Sequence, residues 1–182
     1  MELAEQISRW SFLGQEFLTW LWFKSDQGDG TLELKGLGQM EIWLENRVTL
    51  ESQEEDRSER VSCSGQNPGL KEARFALAQG KKVTKARFRM SLGEDEWSFG
   101  WEAGRLSFQS MSLPSSPADL REDPDGVFFE RVKLVEKGLE ALDSLFSMFA
   151  ILRTSPRWAE EEFPVLAKWI REGALINKAA QR

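Results

Sequence analysis

Lys81, Lys82, Lys85, Arg87 and Arg89 place five cations within nine residues. From Leu70 to Met90, which adds Lys71 and Arg74, seven basic residues stand against one acid, Glu72. The local charge is +6 in a chain of net charge −6, so the remainder carries −12. The chemistry open to such a segment is electrostatic capture of a polyanion, with DNA or RNA the first candidate. The competing reading is a solvated strand and helix end whose cations pair with acids elsewhere. On charge alone the two weigh equally.

Other chemistries are poorly supplied. Histidine is absent from the 182 residues, which removes histidine triads, imidazole acid–base catalysis and most zinc sites. Cys63 is the single cysteine, so no internal disulfide can form and a reducing cytoplasm is expected. Without a histidine partner, Cys63 reads as an inert strand residue. No Walker loop or dinucleotide-binding glycine motif is present. Glu94-Asp95-Glu96 and Glu160-Glu161-Glu162 read as a turn and a helix start. The expectation is a non-enzymatic protein with no catalytic residues, no metal and no cofactor.

The elements that would position the cations follow from patterning. Leu13, Phe17, Trp20 and Leu21 have helical spacing, with Ser11 as N-cap and an end near Ser25. This apolar run is too short and too interrupted to cross a bilayer, and Met1–Arg9 lacks a signal-peptide core. Leu32, Leu34, Met40, Ile42 and Leu44 alternate as strands, with a turn at Asn46-Arg47 before Val48–Leu50. Glu51 to Arg60 reads as an exposed loop or hairpin tip, and Val61 and Cys63 as a short strand.

Asn67-Pro68 starts a helix that Gly80 ends. A long strand then sets Thr84, Ala86, Phe88, Met90 and Leu92 on one side. Val83, Lys85, Arg87, Arg89 and Ser91 lie on the other, with the three cations about 7 Å apart. Trp97, Phe99 and Trp101 share one face of the next strand. They suit a core better than a stacking platform, because strands commonly bury one face. Leu106 and Phe108 continue the meander.

Pro114 to Gly126 is an acidic linker, and Val127 to Thr154 a long helix with two apolar stripes. The first is Phe128, Val132, Val135, Leu139, Leu142, Phe146 and Phe149. The second is Leu134, Gly138, Ala141, Leu145, Met148 and Leu152. One stripe packs on the sheet; the second is left for the last helix or another subunit. That last helix begins at Ser155-Pro156, with a kink or break at Pro164. Residues 173–182 read as a tail. The expected fold is α+β: one domain over 1–182, an antiparallel sheet packed by helices, with a long C-terminal amphipathic helix.

Gly80-Lys81-Lys82-Val83-Thr84-Lys85 resembles the Gly-Lys-x-Val-Thr-Lys segment of the RdgC family of bacterial recombination-associated proteins. The order of elements is similar too. A Glu-containing helix precedes the glycine, an alternating strand and two more strands follow, and an acidic loop leads to the long helix. Glu16-Phe17-Leu18-Thr19-Trp20-Leu21 resembles a helix that begins the family's C-terminal portion. The likeness spans about Leu13 to Leu152. Family members are longer, with an N-terminal half before this part.

The resemblance implies DNA binding without sequence preference, in a ring-shaped dimer around duplex DNA that restrains loading of the RecA recombinase. The residues it points to are Lys71, Arg74, Lys81, Lys82, Lys85, Arg87 and Arg89, contacting phosphates rather than bases. It implies a cytoplasmic, nucleoid-associated protein, and leaves open a homodimer and a recombination-protein partner. The alternative is a protein-interaction module that presents its basic strand face to an acidic partner.

Overall fold

The computed structural model describes residues 3–28, 30–52, 59–65, 68–115 and 123–180. The fold is α+β, as the patterning requires. Helix α1 (Leu3–Asp26) leads into strands β1 (Thr31–Leu34), β2 (Gly38–Glu51) and β3 (Arg60–Ser64). Helix α2 (Pro68–Ala78) follows, then β4 (Lys82–Leu92), β5 (Asp95–Glu102) and β6 (Ser107–Ser112). Helix α3 (Pro124–Thr154), a π-helical turn (Trp158–Glu162) and α4 (Phe163–Ala180) complete the chain.

The six strands form one antiparallel sheet in the order β1-β2-β4-β5-β6. β3 takes the same edge of β2 as β1 does, but at the other end. β1 pairs residues 38–41 of β2 and β3 pairs residues 47–51, while β4 runs along the opposite edge.

Alternation along the strands gives the sheet one apolar face. Met40, Ile42, Val48 and Leu50 of β2 meet Phe88, Met90 and Leu92 of β4 and Trp97, Phe99 and Trp101 of β5, all buried. Phe17, Leu18, Trp20 and Leu21 of α1 lie on that face, across β2 and β4. Gly14 allows the close approach of α1: a Cβ there would stand 2.1 Å from the Ala103 carbonyl oxygen. Phe17 sits edge-on to Trp101 at 4.7 Å between ring centroids, and Phe149 of α3 packs against Phe17 and Trp20. The tryptophan strand is therefore core and not a platform for bases.

Six local expectations are corrected. Val83 is buried in the core and Thr84 is not, because Thr84 is the extra residue of a bulge in β4. Helix α3 begins at Pro124, inside the segment read as linker, and not at Val127. Helix α1 begins at Leu3, so Ser11 lies inside it and is not its cap. Asn46-Arg47 is not a turn: β2 runs through it with a bulge, and Asn46 is exposed where strict alternation would bury it. Leu106 lies in the β5–β6 turn, at φ +48°, and not in the sheet. On α3 it is the second stripe that packs inward: Gly138, Ala141 and Leu145 are buried, as are Leu142 and Phe149 of the first. Phe128, Val132 and Leu139 of the first stripe are exposed.

The ends of α3 are set by their caps. The Asp123 carboxylate accepts the Gly126 N–H at 2.9 Å, with Pro124 at the first helical position. Downstream, Pro164 offers no N–H to the Glu160 carbonyl. The chain answers with a wider turn just before it, in which Phe163 N–H bonds the Trp158 carbonyl. Helix α4 then continues to Ala180, into the segment read as a tail. Most of the acidic linker, 116–122, and the tip of the β2–β3 hairpin, 53–58, lie outside the described residues.

Candidate nucleic-acid interface

The face of the sheet opposite the core carries the polar half of each alternating strand. In β4 these are Lys85, Arg87 and Arg89, as period two demands. Cross-strand partners in an antiparallel sheet share a face, so the register adds Trp43 and Thr49 from β2, Ser98 and Glu102 from β5, and Ser62 from β3. The hairpin register brings Arg47 and Arg60 to the same side.

Two irregularities shape this face. Between the pairs Leu44–Phe88 and Val48–Ala86, three residues of β2 (Glu45, Asn46 and Arg47) stand opposite Arg87 alone. Between Thr49–Lys85 and Leu50–Val83, Thr84 is the extra residue of β4. Bulges bend the strand and re-aim side chains. Between them lies an open hollow of about 370 Å³. Arg47, Arg60, Lys85 and Arg87 line it, with Ser62, Ser64, Gln109 and Ser110 supplying polar groups. Thr49, at its floor, is buried, with its hydroxyl 3.4 Å from that of Ser62. No acid is among the described residues lining the hollow.

Acids stand just outside it, each beside a cation. Glu45 is 2.7 Å from Arg87 Nε and also accepts the Ser98 hydroxyl at 2.9 Å. Glu102 lies 3.6 Å from Lys85, Glu51 3.6 Å from Arg60 and Glu96 3.9 Å from Arg89. The last three are long contacts between solvated side chains. Such pairs contribute roughly 0–1 kcal/mol each, so an incoming anion can replace the glutamate at little cost. Arg87 is held more firmly. Arg47 has no ion-pair partner among the described residues.

The seven cations singled out in the sequence do not form one array. Lys85 and Arg87 line the hollow and Arg89 lies on the same face. Lys71 is exposed on α2. Arg74 is built into the α2–α4 contact: it donates to the Trp169 carbonyl at 3.0 Å, lies 3.4 Å from Asp26 and stacks on the Trp169 ring at 4.7 Å. Lys81 and Lys82 line a separate groove with Thr19, Leu77, Trp158 and Leu166. Lys81 also binds Glu59 at 2.7 Å, and this hydrogen bond and charge hold the Glu59 carboxyl below its usual range.

Arg47, Arg60 and Trp43 were not singled out in the sequence. Arg47 was hidden by reading a turn there, and Arg60 by its place in a charged segment. Extending the alternation of Thr49 and Glu51 across the hairpin tip would have found both, because Glu51–Arg60 and Arg47–Ser64 are register partners.

The acid runs have structural work. Asp95 binds Lys137 at 2.5 Å, and Glu162 accepts Trp20 Nε1–H at 2.9 Å and binds Lys24. Among the described residues no group of three or more His, Cys, Asp or Glu could hold a metal ion. Cys63 is buried, and burial first, then Glu72, pushes its thiol pKa up. No described helix is long and apolar enough to cross a membrane. No family model, curated protein or solved structure matches the chain.

Proposed function

We propose that this chain binds nucleic acid through the open face of its sheet, contacting phosphates and not reading sequence. The observation that carries the reading is the hollow of Arg47, Arg60, Lys85 and Arg87, with no acid among its described lining residues. Cations and hydroxyls around a concavity suit phosphate oxygens, and such contacts carry no base information. The role is one of binding and not of catalysis.

The likeness of Gly80–Lys85, and of the succession of elements, to the RdgC family supports a place in DNA recombination or replication at the nucleoid, with RecA loading as the process restrained. A second reading is a module that presents its basic face to an acidic protein partner and associates through its long helix, and one observation favours that association. Phe128, Phe129, Val132 and Leu139 expose an apolar stripe on α3 that the core does not use.

The test is a salt titration of binding to several unrelated oligonucleotides. Four phosphate contacts give a slope of log affinity against log salt of about −3 to −4, alike for every sequence. Absence of binding at low salt, with an acidic peptide binding instead, would move the assignment to the protein-partner reading.

A further inference from the structure

Trp43 is the aromatic residue that β2 places on the open face, beside the cations. Its register partner on β4 is Arg89, whose guanidinium lies 4.9 Å from the centre of the indole ring. Trp43 is only half-buried, and the buried side chains of the helices lie on the other side of the sheet. Along the edge of β2 next to it, Ile42 N–H donates to the Gly30 carbonyl at 3.0 Å, just before β1. Among the described residues β1 pairs as far as Glu41 and β3 pairs from Arg47 onward, so neither strand pairs with Trp43. A large aromatic ring in that position fills no core. Its neighbour Arg89 is loosely held, 3.9 Å from Glu96.

An aromatic face beside an arginine offers two flat surfaces to a nucleobase, through stacking and cation–π attraction. Arg89 is two residues from Arg87, so the ring lies about 7 Å beyond the edge of the hollow, within the reach of one nucleotide. In a duplex the base faces are already covered by neighbouring pairs, so the arrangement serves an unpaired base.

We propose that Trp43 and Arg89 form a base-stacking position and that the ligand of this face is single-stranded nucleic acid. Phosphates occupy the hollow and a base lies over the Trp43–Arg89 pair. The inference rests on the reading of the hollow as a phosphate site.

The experiment measures equilibrium binding of a mixed-sequence 12-mer, as a single strand and as a duplex, to four proteins: the parent, Trp43→Leu, Trp43→Phe and Arg47→Ala/Arg60→Ala. Leucine keeps an apolar side chain and removes the π-face; phenylalanine keeps a smaller π-face. The parent binds the single strand more tightly than the duplex. Trp43→Leu loses roughly 5- to 150-fold for the single strand, the range for one stacked base, and changes duplex binding less than about twofold. Trp43→Phe retains most of the parent's affinity. Arg47→Ala/Arg60→Ala weakens both forms.

If Trp43→Leu, folded by its melting curve, binds the single strand as the parent does, the stacking position is refuted and the phosphate hollow stands. A parent that prefers duplex refutes it as well. If Arg47→Ala/Arg60→Ala changes nothing, the hollow itself is refuted. If Trp43→Leu does not fold, Trp43→Phe decides. Its tryptophan emission should be quenched less by the single strand than the parent's, and equal quenching refutes the inference.

Discussion

Gly138 of α3 lies against the indole of Trp97 on β5. A Cβ at position 138 would stand 2.9 Å from Trp97 Nε1 and 3.2 Å from Met111 Cε. Trp97 Nε1–H donates to the Leu134 carbonyl at 3.1 Å, one turn earlier on the helix. The glycine thus lets the helix backbone seat on the tryptophan and accept its hydrogen bond. Gly138→Leu is expected to destabilise the protein by about 1–3 kcal/mol or more, through overpacking and loss of that bond. Urea unfolding checks it, and an unchanged midpoint would refute the close packing.

Trp101→Ala is expected to cost about 3–5 kcal/mol, the usual range for a buried large aromatic. Trp101 is 4 % exposed and its Nε1 has no hydrogen-bond partner among the described residues. Removing that N–H costs no bond, so Trp101→Phe should lose clearly less than the alanine variant. Thermal melts of the two variants compare them directly. Equal losses would show that the indole nitrogen matters.

Arg74→Ala is expected to lower stability by about 2–3 kcal/mol, because it removes a charged hydrogen bond and a cation–π interaction together. Nucleic-acid affinity of the folded variant should stay within about twofold, because a single remote charge contributes little once screened. A normal melting temperature with weakened binding would return Arg74 to the binding surface.

Glu45→Gln removes the acid that holds Arg87 beside the hollow. Affinity for oligonucleotides is expected to rise about two- to tenfold, and the salt slope to steepen by up to about one unit. A filter-binding series at two salt concentrations measures both. A loss of affinity would mean that Glu45 positions Arg87 for the ligand and does not compete with it.

Much of this was legible in the sequence. The period-two strands, the buried tryptophan strand, the cation face of β4 and the end of α3 at Thr154 follow from local pattern. The rest depends on contacts between distant residues. Arg87 and Glu45 are 42 residues apart, and nothing near either one announces the pair. Arg47 was misplaced because a bulge looks like a turn when only one strand is in view. Which α3 stripe faces inward was decided by the fit of Gly138 to Trp97, while both stripes have equally good helical spacing.

Cys63 gives a probe of β3, which carries Arg60 to the hollow. The buried thiol, with its pKa pushed up, is expected to resist alkylation at neutral pH in the folded protein. It should react as denaturant opens the hairpin. Rapid labelling by iodoacetamide without denaturant would show that β3 is loosely docked.

The most direct test of the central claim is the salt dependence of oligonucleotide binding by Arg47→Ala/Arg60→Ala/Lys85→Ala, set against the parent and against Lys71→Ala. The three replaced residues line the hollow, whereas Lys71 is exposed on α2 and does not line it. The slope of log affinity against log salt should shrink by up to about three units in the triple variant, equally for every sequence. It should remain at the parent value in Lys71→Ala. A folded triple variant with the parent's slope and affinity would contradict the phosphate-binding account of this face.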